Sequence, residues 1–297
     1  MRVGLQVPYF TWPGGPARLG DDFAGVAQRA EQAGFASFWV MDHFFQLPGL
    51  GAAELDMLEG YTALGFAAGK TSRIKLGTMV TGNTYRNPGV LIKAVTTLDV
   101  LSGGRAYFGI GAGWFEREHV AFGIPFDTFT IRFQKLEETL RITHQMWSDD
   151  NGPFEGQHYR FAETICTPQP VSKPHPPIII GGRGEKKTLR FVARYADAWN
   201  MGTSIDENGA EEFRRLSRIL REHCERESRP YEAIEKTTLG TLWLSKEPRE
   251  RWVTPGQAIG RLKLLSDAGV DQAIVNMPNV DRPETLEMMA EVIAGLA

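Results

Sequence analysis

Asp42 and His43 stand side by side in the run Trp39–Phe45, WVMDHFF. A histidine can take or give a proton near neutral pH, and an adjacent carboxylate can raise its pKa or hold its orientation. The plainer alternative is a histidine that closes a strand end through a backbone hydrogen bond. Successive strand residues point to opposite faces, so both side chains reach one site only where the strand has begun to turn.

A second constellation is Gly181-Gly182-Arg183-Gly184-Glu185-Lys186-Lys187-Thr188. Glycines let the backbone approach a ligand, and the free amides of a helix start favour an anion. Lys186, Lys187 and Thr188 add donors, so a phosphate site competes here with an ordinary Gly-rich turn. The segment is neither a Walker A loop nor a G-x-G-x-x-G fingerprint. A third is Phe108–Trp114, FGIGAGW, where bare backbone beside a tryptophan suits a flat aromatic ligand, or simply a tight turn with Trp114 as filler. The charged run Glu116–His119 that follows fits the solvated face of a helix. Asp42, His43, Glu116 and His119 lack metal-ligand spacing, and no G-x-S-x-G elbow is present, so no metal and no α/β-hydrolase are expected.

These residues need a frame. Short β-branched or aromatic runs alternate with stretches of helical period, as in βα units around a parallel sheet. The expected strands are Val3–Val7, Ser37–Met41, Ile74–Val80, Ala106–Ile110, Ile178–Ile180, Ala198–Met201, Lys236–Leu244 and Gln272–Asn276. Phe23, Val26, Ala27 and Ala30 mark one helix face, with Gly34 as its stop. Asn87-Pro88 and Thr254-Pro255 open two further helices, and Gly103-Gly104 ends the first of them. Phe129, Phe133, Leu136 and Leu140 mark the longest, to about Trp147. Eight such units make a doubly wound sheet or a closed (β/α)8 TIM barrel, and eight strands close a barrel that side chains can fill. The expected organisation is one barrel domain over residues 1–297. The proline-rich stretch Ser148–Pro177 is an insertion before the fifth strand, with a short hairpin at Phe154–Phe161. In such a barrel the chemistry sits at the C-terminal ends of the strands, where all three constellations fall.

The composition excludes other classes. With 297 residues and a formal net charge of -3, the chain has no concentrated basic surface for nucleic acid. Arg214, Arg215, Arg218 and Arg221 are set among Glu211, Glu212 and Glu222 and fit a solvated helix face. Cys166 and Cys224 are far apart and fit indifferent thiols. No apolar run reaches the ~20 residues that span a bilayer, and the N-terminus resembles a first strand more than a signal peptide. A cytoplasmic protein without nucleic-acid or membrane partners is expected.

Four segments, Trp39–Gly49, Leu76–Pro88, Thr97–His119 and Pro174–Asn200, resemble the luciferase-like superfamily, and more closely its branch that uses the deazaflavin coenzyme F420. The resemblance runs in order to about Asn200; the last third matches only in barrel pattern. It implies a tricyclic ring at the barrel mouth and hydride transfer at the deazaflavin C5. By position, Asp42 and His43 match the acid and the histidine beside the ring, the latter a proton donor or anion stabiliser. Met79-Val80 matches a non-prolyl cis peptide whose bulge backs the ring. Ala112 and Gly113 match backbone contacts to the ring or its ribityl chain. Gly184, Glu185 and Thr188, with Gly182 beside them, match the turn that holds the phosphate, and the two lysines there suit a long anionic tail. Trp114 departs from the sugar-phosphate dehydrogenases of this group, which carry an acidic Glu at that place. This removes the motif's reason to assign glucose 6-phosphate and leaves Glu59 as a weak substitute acid. The function implied is F420-dependent hydride transfer to or from a small organic substrate, and a homodimer is compatible with it. Two alternatives stand beside it: an FMN-dependent monooxygenase, and a non-redox phosphate-binding barrel.

Overall fold

A computed structural model describes residues 1–296. The elements in chain order are β1 (Arg2–Val7), α1 (Pro16–Gln32), β2 (Ser37–Val40), α2 (Gly60–Ala68), β3 (Lys75–Thr78), β4 (Thr81–Gly82), α3 (Pro88–Ser102) and β5 (Phe108–Gly111). After these come α4 (Glu116–Phe122), α5 (Phe129–Met146), β6 (Phe154–Glu155), β7 (Arg160–Phe161), β8 (Ile178–Gly181), α6 (Thr188–Tyr195) and β9 (Ala198–Gly202). The last are α7 (Glu207–Arg226), β10 (Glu235–Thr241), α8 (Pro255–Asp267), β11 (Gln272–Asn276) and α9 (Pro283–Ala294).

The main sheet is parallel, in the order β3-β2-β1-β11-β10-β9-β8-β5-β4. Its nine segments are eight barrel strands, because β3 and β4 are two parts of one strand broken at Met79–Val80. A bridge from Leu76 to Ala106 brings β3 back to the chain entering β5 and closes the barrel. The third strand is therefore not continuous over Ile74–Val80, and the Met79–Val80 peptide is cis. The seventh ends at Thr241, short of the expected Leu244.

Local chemistry explains the helix ends. Asn87 accepts from Gly89 N at 2.9 Å with Pro88 at the first helical position, and Gly103 ends α3 at φ 70°. Thr254 and Gln257 form a capping box at the start of α8. The hairpin β6–β7 forms within the stretch 148–177 and is tied to α5 by Glu138, which accepts the amides of Gln157, His158 and Tyr159. Cys166 and Cys224 are buried free thiols.

Strand alternation sorts the interior into two sets. Leu5, Val7, Phe38 and Val40 face outward and join the layer beneath the helices. Trp39, Tyr107, Ile179, Ala198 and Ile274 pack inside the barrel. Two residues further along the same strands lie Met41, Gly109 and its follower Gly111, Gly181, Asn200 and Asn276. Apart from Met41, the uppermost inward layer thus consists of small or polar residues, and it forms the floor of the site.

Candidate active site

A cavity of about 440 Å³ opens at the C-terminal mouth. Its floor is that upper layer, with Gln6, Met41, Gly111, Gly181, Asn200 and Asn276. Asp42 and His43, Met79 and Val80, and Ala112 and Gly113 line it as well. The structure thus gathers all the predicted ring-side residues in one place. β2 ends at Val40, so the chain has begun to turn before Asp42 and His43 and both reach the cavity.

Asp42 is buried and held by the Arg86 guanidinium in a two-pronged ion pair, with both contacts at 2.8 Å, and it also accepts from Gly82 N at 3.2 Å. Burial pushes its carboxyl above the usual range, against the pull of Arg86. Arg86 also pairs with Glu59. Glu59 accepts from Thr62 N at 2.7 Å as the N-cap of α2, so it is a structural carboxylate and does not line the cavity.

His43 has another partner. Its Nδ1 lies 2.9 Å from Glu118, whose carboxylate also accepts from the Phe45 amide at 2.8 Å, from the Phe44 amide and from the Tyr85 hydroxyl. Burial alone would raise the Glu118 carboxyl, but the His43, Tyr85 and Phe45 hydrogen bonds outweigh it and hold it below its ordinary value. An ionised acceptor fixes the neutral imidazole with its proton on Nδ1 and leaves Nε2 as the acceptor. The adjacent Asp42 does not orient His43; Glu118 does. The charged run is also not uniformly solvated. Glu116 and Arg117 are exposed, whereas Glu118 and His119 turn fully inward, with His119 bonded to Phe115 O at 2.9 Å and to Thr84 at 2.6 Å.

Glycines make room for the bulge. A Cβ on Gly111 or Gly181 would meet the Val80 side chain at 3.1 or 3.0 Å, and one on Gly109 would fall 1.9 Å from Thr78 O. The Met79 carbonyl accepts from Gln6 Nε2 at 3.2 Å, and Gln6 Oε1 in turn accepts from Asn276 Nδ2 at 2.9 Å. Asn276 lines this floor, and its Oδ1 is buried beside it without a protein partner.

Of the Gly-rich turn only Gly181 and Gly182 line the cavity; Gly184, Glu185 and Thr188 stand behind Gly182. The Thr188 side chain lies 3.2 Å from a Cβ built on Gly182 and 2.7 Å from one on Gly184, so a larger residue at either position would displace it. Among the described residues, the amides of residues 184–186 donate to no protein acceptor. The Glu185 carboxylate turns away to Arg215 at 2.7 Å, leaving its amide as the group available to a ligand. Lys187 lies over the rings of Phe129 and Phe133, at 5.1 and 5.4 Å, whereas Lys186 is exposed. No cluster of three or more metal-ligating side chains occurs among the described residues, and no helix is long and apolar enough to cross a membrane.

Comparison with known proteins follows this geometry. Residues 1–259 match the family described as luciferase-like monooxygenase. An F420-dependent glucose-6-phosphate dehydrogenase of Kineococcus radiotolerans is 31% identical over 79% of this chain and 66% of its own length. An FMNH(2)-dependent dimethylsulfone monooxygenase of Pseudomonas putida is 29% identical over 61% of this chain, but this chain spans only 48% of that protein. Among solved structures, an F420-dependent secondary alcohol dehydrogenase in complex with an F420-acetone adduct superposes with a TM-score of 0.83 at 17% identity, covering 100% of both chains.

Proposed function

The chain belongs to the luciferase-like monooxygenase family, and from that premise we propose that this enzyme is a coenzyme F420-dependent oxidoreductase acting on a small organic substrate. The observation that carries the reading is the joining of three features in one cavity: the Val80 bulge seated against Gly111 and Gly181, the carboxamide residues Asn200 and Asn276 on the floor, and a histidine whose Nδ1 is held by Glu118 while Nε2 is left as an acceptor. Bare backbone on one wall and carboxamide residues on the floor fit a flat, polar-edged ring.

When bound there, the deazaflavin would supply a carbon centre, C5, that accepts or releases hydride. The chain's own work is placement and proton control. Met79, Val80, Ala112 and Gly113 would support the ring, and Asp42 would stand at its edge, kept in position by Arg86. The unbonded amides at Gly184 and Glu185 and the Thr188 hydroxyl would take a phosphate, with Gly182 allowing the approach. His43 would act as the acid–base or anion-stabilising group at Nε2. Glu118 stabilises the ring when Nε2 gains a proton, as a buried carboxylate does for an imidazole in other acid–base sites.

FMN is the second reading, because a relative of similar identity is named for FMNH(2). Oxygen uptake separates the two: a deazaflavin has carbon at position 5 and reacts poorly with oxygen. Substrate-dependent bleaching or recovery of the deazaflavin absorbance without oxygen uptake is the expected result; oxygen consumption with reduced FMN would favour the second reading. We extend the proposal to assembly as a homodimer. Phe66, Val90 and Leu101 on α2 and α3 expose apolar side chains as its contact face, which light scattering during gel filtration tests.

A further inference from the structure

Trp114 leaves 60% of its surface exposed while standing on the cavity rim, its ring 5.8 Å from that of His43. Gly113 precedes it at φ +74°, and a Cβ there would fall 2.6 Å from Thr84 Oγ1, so the turn that presents the indole requires glycine. Phe115 follows it, buried, and packs on both rings, at 5.8 Å from His43 and 5.2 Å from Trp114. A large apolar ring is thus anchored at both chain neighbours and left uncovered beside the proposed acid–base group. Leu47 and Leu50 line the same cavity.

The charge inventory points the same way. Among the described residues, no lysine or arginine lines the cavity, and its acidic and basic lining groups, Asp42 and His43, are already committed to Arg86 and Glu118. Lys246, Arg249 and Arg282 belong to a separate groove, which they share with Glu247 and Glu284. A phosphorylated sugar in the cavity would lose water from its phosphate and gain no cation in exchange, beside the carboxylate of Asp42. A neutral molecule with a flat apolar face would instead cover the exposed indole.

We propose that Trp114, with Leu47 and Leu50, is a specificity-determining wall that selects neutral substrates with a flat apolar face over sugar phosphates. The proposal rests on the cofactor reading only in assigning the rest of the cavity to the cofactor ring.

The test uses 2-naphthol as the neutral probe and glucose 6-phosphate as the anionic one, titrated calorimetrically into protein saturated with F420. The wild type should bind 2-naphthol and show no measurable heat with glucose 6-phosphate. Trp114→Ala should weaken 2-naphthol about tenfold, a change of about 1.4 kcal/mol, and Trp114→Phe should restore most of that loss. Melting temperatures of both variants, expected near the wild-type value for an exposed side chain, guard against misfolding. Absence of 2-naphthol binding, equal binding by wild type and Trp114→Ala, or tighter binding of glucose 6-phosphate would each overturn the proposal. F420 saturation is measured first. Failure there counts against the cofactor reading alone, and the probes are then titrated into FMN-loaded protein, or into the protein as purified, with the same expected and overturning results.

Discussion

His43 Nδ1 lies 2.9 Å from the carboxylate of Glu118, a residue 75 positions further along the chain, although an aspartate is its immediate neighbour. Glu118 is a positioning residue in this account, and removing its charge should affect turnover more than binding. Glu118→Gln should lower kcat on the order of tenfold to a hundredfold, and His43→Ala more, within the range of about 10²–10⁴ that a placed acid–base group contributes. Deazaflavin affinity should stay within about threefold in both. Steady-state kinetics and fluorescence titration on the same preparations separate the effects. Loss of affinity with kcat retained would make His43 a binding residue.

Arg86 neutralises a buried Asp42. Arg86→Ala should therefore destabilise the fold by about 3–5 kcal/mol, the usual cost of leaving a buried ion without its partner. Arg86→Lys cannot supply both prongs and should recover part of the loss. The sign with pH follows from Asp42. A carboxyl whose folded pKa is raised by burial contributes stability at low pH that is lost as pH rises through that pKa. The deficit of Arg86→Ala should accordingly be larger at pH 8 than at pH 5 in urea melts. A deficit independent of pH would mean that Arg86 acts through packing alone.

Glu31 gives an acid-stability prediction remote from the site. Its carboxylate accepts the amides of Ser72, Arg73 and Ile74, joining the end of α1 to the start of β3. Burial works against ionisation, but these bonds outweigh it and bring the pKa down to about 2. A lowered carboxyl pKa contributes stability that is present above the unfolded value and lost as pH falls toward the folded one. Going from pH 5 to pH 3 should therefore cost the wild type more than Glu31→Gln. Equal slopes for the two proteins in denaturant melts would refute this.

Much of the frame was legible in the sequence. Asn87-Pro88, Gly103 and Thr254-Pro255 punctuate helices through chemistry that acts within a few residues, and each does so in the structure. The hairpin at Phe154–Phe161 was equally local. The break in the third strand left no mark in the periodicity, since Leu76 to Val80 is as apolar as a strand; only the family resemblance indicated it. The pairings Asp42–Arg86 and His43–Glu118 were illegible for a different reason. They join residues far apart in the chain, Arg86 in the loop before α3 and Glu118 in α4, to the segment after β2, and the sequence offers Asp42 as the obvious partner of His43. Glu118 was hidden in a charged run whose neighbours are exposed, and only the burial of α4's inner side distinguishes it.

Gly184 and Thr188 test the phosphate turn. A Cβ on Gly184 would reach within 2.7 Å of the Thr188 hydroxyl oxygen, so Gly184→Val should displace the very donor the phosphate needs. Cofactor affinity should fall tenfold or more, that is by at least about 1.4 kcal/mol. Thr188→Val, which keeps the shape and removes the hydroxyl, should produce a smaller loss in the same titration. Unchanged affinity in both variants would remove the turn from the site.

The choice of cofactor is the central claim, and paired titrations of the purified protein with F420 and FMN test it most directly. Quenching of tryptophan fluorescence reports both, since Trp114 lines the cavity. F420 should bind at least about tenfold tighter than FMN, a difference of about 1.4 kcal/mol. Raising the salt should narrow that gap, because the exposed Lys186 can attract a polyanionic tail only through screened charge worth about 0–1 kcal/mol. Tighter binding of FMN, with oxygen consumed in the presence of reduced FMN, would contradict the account and leave the monooxygenase reading in its place.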